Sequence, residues 1–176
     1  MAFNVDTFKS RFSDGGARPN LFSVSLQTPG LVPSLDSGGA FEIKAAQIPS
    51  STIAQVDVPY FGRQIRVAGN RTFEPWTVTV FQKEDFAIRN AMEQWMNTIN
   101  SHVLNDGLNN DDPQSYKADA IVKHFGKSGL TSPIAEYKFY GLFPTEISTV
   151  ELGWDTNDAI EEFTMTFAYD YWEHAG

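Results

Sequence analysis

The stretch that decides the fold is VAGNRTFEPWTVTVF, residues 67–81. Its first half holds a Gly69-Asn70 dipeptide, a pair that tolerates positive φ and therefore reads as a turn. Pro75 lacks an N–H and can start a strand but not sit inside one. Beyond it Trp76, Val78 and Val80 alternate with Thr77 and Thr79, the period of a strand with one face buried. Nothing in the stretch is a nucleophile, a base or a metal ligand. It is built for pairing.

The same alternation recurs on both sides. Phe22, Val24 and Leu26 alternate with Ser23, Ser25 and Gln27, and Phe41, Ile43 and Ala45 with Glu42, Lys44 and Ala46. Residues 53–60 and 63–69 form the arms of a hairpin turning at Phe61-Gly62. Further strands are expected at 117–125, 136–143, 145–152 and 160–171. In the last, Phe163, Met165, Phe167, Tyr169 and Tyr171 share one face, and Glu162, Thr164, Thr166, Ala168 and Asp170 the other. Asp155-Thr156-Asn157-Asp158 supplies the final turn.

One long helix is expected over 86–101, with Asp85 as N-cap and a stripe of Ile88, Met92, Trp95 and Ile99. Residues 1–16 read as an N-terminal arm or short helix, with the helical pattern at 3–12. Residues 29–39 and 102–115 read as loops. The fold class is mainly β: a β-sandwich or partial barrel of about eight strands with one covering α-helix, in a single domain over 1–176.

Composition narrows the function. The 176 residues suffice for a sizeable core, and 14 of them are Phe. There is no cysteine, so disulfides, thiolate metal sites and Cys nucleophiles are excluded, in keeping with a reducing cytoplasm. No secretory signal and no bilayer-length apolar run is evident. His102, His124 and His174 have no metal-ligand spacing, and Asp106, Asp111 and Asp112 do not match a calcium loop, so neither metal nor cofactor is expected. Asn70-Arg71-Thr72 is a sequon by composition only. Catalysis is not indicated.

Net charge is −9, unevenly spread. All 13 Lys and Arg precede Gly141, together with 14 acidic residues, whereas residues 141–176 hold eight acidic residues and no basic one. Binding of nucleic acid through phosphate neutralisation is disfavoured. An acidic C-terminal hairpin, 145–171, suits either a solvated face or a wall that meets a polyanion without gripping it. Exposed Trp and Tyr on an acidic β domain would alternatively suit a carbohydrate-binding module.

Taken in order, ARPNLF (17–22), VAGNRTFEPWTVTV (67–80), the Trp-containing helix, YKADAIV (116–122), GLFPTEI (141–147), LGWDTND (152–158) and FAYDYWE (167–173) are similar to the tail tube proteins of contractile-tailed, T4-like bacteriophages. The resemblance runs from Ala17 to Glu173, with 29–39 longer than expected and 101–115 also divergent. It implies a structural virion protein, assembled in the bacterial cytoplasm, whose hexameric rings stack into the tube inside the contractile sheath. Strands would join those of neighbours into a ring-wide barrel. Implied partners are further copies of the chain, the tail sheath protein, and baseplate and tail terminator proteins. The tape measure protein and genomic DNA would occupy the lumen without specific binding. A baseplate or tube-terminating paralogue of the same fold is the alternative within the family.

On that reading Glu162, Thr164, Thr166 and Asp170 line the lumen, while Phe163, Met165, Phe167 and Tyr169 fill the core. The resemblance also sets the hairpin at 53–68 against the adjacent ring. Its Ile53, Val58, Tyr60 and Phe61 would pack there, and Arg63 and Arg66, with Arg71 after it, would meet carboxylates of that ring.

Overall fold

The structure is a computed structural model and describes residues 4–11, 16–29, 42–107, 112–127, 129, 132–155 and 158–175. The elements run α1 (Val5–Arg11), β1 (Phe22–Gln27), β2 (Ile43–Ala46), β3 (Ser51–Tyr60), β4 (Arg63–Phe73) and β5 (Trp76–Phe81). Then come α2 (Ala87–Ile99), α3 (Pro113–Tyr116), β6 (Ala118–Phe125), β7 (Pro133–Ile147), β8 (Glu162–Ala168) and β9 (Tyr171–His174). The fold is mainly β, as the alternating patterns require. The loop expected at 29–39 lies, but for Pro29, outside the described residues.

All pairings are antiparallel, in the order β1-β6-β7-β8-β5-β2, with β9 also paired to β7. The 15-residue β7 joins the two halves. Its first part pairs with β6 and β9, and its last residues, from Phe143, pair with β8. The halves close over one core, where Trp76 of β5 stacks on Phe139 of β7 with ring centroids 4.5 Å apart. Val78, Val80, Phe163, Met165 and Phe167 complete the inward faces of β5 and β8. Each such side chain contributes about 1.5–3 kcal/mol by leaving water.

Helix α2 covers this core with the expected stripe: Ile88, Met92 and Trp95 are buried, joined by Ala91, and Ile99 is half-buried. Trp95 donates from Nε1 to the Tyr116 carbonyl at 2.7 Å, which ties α2 to α3. The N-cap position is Phe86, not Asp85, though Asp85 Oδ1 accepts from the Ala87 N–H at 3.1 Å. The short α3 interrupts what reads as a loop. Asp112 caps it through the Gln114 N–H, and Pro113 opens it, the usual residue at a first helical position.

Three expectations need correction. The strands expected at 136–143 and 145–152 are one strand, β7, with an irregularity between Pro144 and Glu146, and residues 148–152 are not strand. The strand expected at 160–171 splits, because the Asp170 N–H turns to the Tyr140 carbonyl at 3.0 Å. The alternation resets there: Tyr171 points outward and stacks on Tyr140, while Trp172 packs against the core. Gly69-Asn70 is not a turn but lies inside β4. Between the pairs Gln55↔Ala68 and Ile53↔Arg71, β4 carries one extra residue, a bulge. A Cβ on Gly69 would stand 3.1 Å from the Ala54 carbonyl oxygen, so glycine serves close approach here rather than positive φ.

Candidate assembly surfaces

Strands β3 and β4 form a two-stranded ribbon, separate from the main sheet, whose residues are exposed along nearly its whole length. Directly opposite residues share a face. One face therefore carries Val56 with Val67, Val58 with Ile65, and Tyr60 with Arg63. The other carries Asp57 with Arg66 and Ile53 with Arg71. The ribbon is amphipathic, and both faces are open to water. Its apolar side chains remain about half exposed.

The tip adds a second anomaly. Phe61 and Gly62 make the expected two-residue turn with φ of 44° and 78°. Glycine adopts such φ freely, but a bulky side chain does so at a cost of about 1–2 kcal/mol. Phe61 is also 90% exposed. Among the described residues its ring meets that of its neighbour Tyr60 edge-on, with centroids 4.6 Å apart.

The sequence-derived hairpin set is thus divided by the structure. Val58, Tyr60 and Arg63 share the apolar face, Phe61 forms the tip, and Ile53, Arg66 and Arg71 lie on the polar face. The three arginines do not form one cluster, because strand alternation sends Arg63 and Arg66 to opposite sides. Arg66 lies 3.7 Å from Asp57 of its own ribbon.

The second surface is the outward face of β5 and β8. Thr77 lies opposite Thr166, Thr79 opposite Thr164, and Phe81 opposite Glu162. Hydroxyls dominate it. The Thr145 hydroxyl donates to the Thr166 carbonyl at 3.1 Å, and the Thr164 N–H donates to Ser148 Oγ at 2.8 Å. Its acidity is offset, since Lys44 of β2 reaches Glu162 at 2.6 Å. Asp170 departs from the row: it sits in the β8–β9 link, over Gly141, paired with Lys117 at 2.8 Å.

The charge pattern along the chain does not reveal Lys44 and Lys117, because both lie before Gly141, more than 50 residues away in sequence from the carboxylates they meet. Trp76 and Trp95 are core residues and Trp172 packs against the core, whereas Trp154 stands exposed between β7 and β8. His174, expected in a tail, belongs to β9. Among the described residues no group of His, Asp or Glu is arranged as a metal site, and no helix is long and apolar enough to cross a membrane.

Comparison with known proteins gives one family. The model of the phage tail tube protein family matches residues 17–175. Tail tube protein gp19 of Enterobacteria phage T4 is 34% identical over 170 residues, covering 96% of this chain and 99% of the relative. The baseplate tail-tube junction protein gp54 of the same phage is 24% identical, covering 94% of this chain and 47% of the relative. Among solved structures, a chain of the sheath/tube terminator of the extracellular contractile injection system PVC, in the extended state, superposes with TM-score 0.67 at 14% identity. That match covers 92% of this chain and 97% of the other. On the family match and the identity to gp19, the chain belongs to the phage tail tube protein family.

Proposed function

We propose that the protein is the repeating subunit of the inner tube of a contractile phage tail, forming hexameric rings that stack axially. The observation that carries this reading is the ribbon β3–β4. Isolated two-stranded ribbons are marginal in water, and this one also exposes an apolar face and a strained Phe61. A neighbouring subunit supplies what the monomer lacks. The ribbon bridges adjacent rings, with Ile53, Val58, Tyr60 and Phe61 packing on the next copy and Arg63, Arg66 and Arg71 meeting its carboxylates. Strands β1 and β2, which end the path β1-β6-β7-β8-β5-β2, are the edges through which neighbours extend the sheet into a ring-wide barrel.

The hydroxyl face of β5 and β8 lines the lumen, with Thr164, Thr166 and Glu162 on the wall and Asp170 beside it. DNA binds where phosphates displace counterions on free Lys and Arg. Lys44 is engaged by Glu162, so this wall offers a passing phosphate backbone little to grip. The tape measure protein and genomic DNA pass such a wall without specific contacts. The outer side of the tube meets the sheath, its ends meet baseplate and terminator proteins, and assembly takes place in the bacterial cytoplasm before the tube becomes part of the virion.

A junction or terminator paralogue shares the fold, but the higher identity to gp19 favours the tube itself. Sedimentation of the concentrated protein, alone and with purified baseplate complexes, tests the reading. Fast-sedimenting polymers under either condition support it. A chain that stays monomeric under both overturns it.

A further inference from the structure

Between β7 and β8 the chain leaves the sheet, and its described residues 148–155 and 158–161 form a lobe. Val150 packs against the core, but the larger apolar side chains are turned out: Trp154 is 99% exposed, Leu152 82% and Ile160 69%. Glu151, Asp155, Asp158 and Glu161 lie among them in the sequence, with no basic residue in the segment. Among the described residues none of these four carboxylates makes an ion pair. The segment is held at its two ends, where the Ser148 N–H donates to the Thr164 carbonyl and the Gln82 N–H to the Glu161 carbonyl, both at 2.8 Å, and its exposed apolar side chains take no part in that anchoring.

The ribbon β3–β4 is its opposite in charge and its match in polarity. Residues 51–73 hold Arg63, Arg66 and Arg71 against the single acid Asp57, beside an uncovered stripe of Val56, Val58, Ile65 and Val67. Among the described residues Arg63 and Arg71 likewise make no ion pair. An arginine meeting an exposed indole in an acidic segment gains from stacking and from charge together. Trp, Tyr and Arg are also the residues that dominate interface energies.

We propose that the lobe of residues 148–155 and 158–161 is the docking site for the β3–β4 ribbon of a second copy of this chain. The two surfaces differ, so the contact is heterologous. Each copy that engages one neighbour still offers an unused lobe or ribbon, and association continues instead of stopping at a dimer. The proposal rests on the tube reading and adds to it the receiving surface for the ribbon.

The test uses two reciprocal charge reversals in the full chain. One variant carries Arg63→Glu and Arg66→Glu in the ribbon, the other Glu151→Lys and Asp155→Lys in the lobe. All four positions are exposed, and circular dichroism and thermal unfolding check that both variants fold. Each variant alone places like charges across the contact, so its sedimentable fraction falls by about tenfold or more. Mixed in equal amounts, each ribbon finds an oppositely charged lobe on the other variant, and polymer returns to near the wild-type level. If either variant alone polymerises as the wild type does, or if mixing restores nothing, the lobe is not the ribbon's partner, while wild-type polymer still upholds the tube reading. Wild-type protein that stays monomeric even with baseplates overturns both.

Discussion

Lys44 of β2 holds both carboxylate oxygens of Glu162 of β8, at 2.6 and 2.7 Å, across the intervening strand β5. The two side chains are 47% and 35% exposed, so solvent screens much of their attraction. Lys44→Gln is therefore expected to cost no more than about 1 kcal/mol, and the difference from wild type should shrink with added salt. Thermal unfolding at low and high salt measures it. A loss of several kcal/mol, insensitive to salt, would make the pair a structural element instead.

Gly141 sits where β7 passes from one half of the sheet to the other, with φ of 67°. A Cβ there would run into the carboxylate of Asp170, which Lys117 holds in place. Gly141→Ala is expected to destabilise the fold by about 1–3 kcal/mol through backbone strain and this collision together. Adding Asp170→Gly should relieve the collision but not the strain, a partial recovery visible in urea unfolding. Full stability of Gly141→Ala alone would show that β7 does not need this bend.

Phe61 separates folding from assembly. Phe61→Asn puts a residue that tolerates positive φ into the turn, so the monomer should be as stable as wild type or slightly more so. Polymer formation should weaken, because an exposed aromatic anchor is lost. Amide exchange of the ribbon and sedimentation report the two effects separately. Unimpaired polymerisation would mean that the tip makes no contact.

Tyr169 packs against Phe73 and Phe139, and burial, aided by Glu74, raises its pKa above the ordinary 10.0. The folded state thus holds the phenolic proton more tightly than the unfolded chain. This contribution to stability is fully present below about pH 10 and is lost as pH rises through the raised folded value. Tyr169→Phe should therefore show a shallower fall of the urea midpoint above about pH 10 than wild type. Parallel slopes would show that Tyr169 keeps its proton equally well in both states.

The β pattern was legible because alternation is local: Trp76, Val78 and Val80, and Phe163, Met165 and Phe167, declare their inward face within their own strands. The stripe on α2 and the Phe61-Gly62 turn were legible for the same reason. What stayed hidden depends on partners distant in sequence. Gly69-Asn70 carries the residues of a turn, and only the pairing with Ala54 makes it a bulge. The break at Asp170 depends on the Tyr140 carbonyl, and the offset acidity of Glu162 and Asp170 on Lys44 and Lys117. The separation of Arg63 from Arg66 needed only strand parity, which was available in the sequence.

Negative-stain electron microscopy of the concentrated protein, alone and nucleated with baseplate complexes, tests the central claim most directly. Six-fold rings stacked into tubes with an axial channel are the expected result. Monodisperse single subunits under every condition would contradict it.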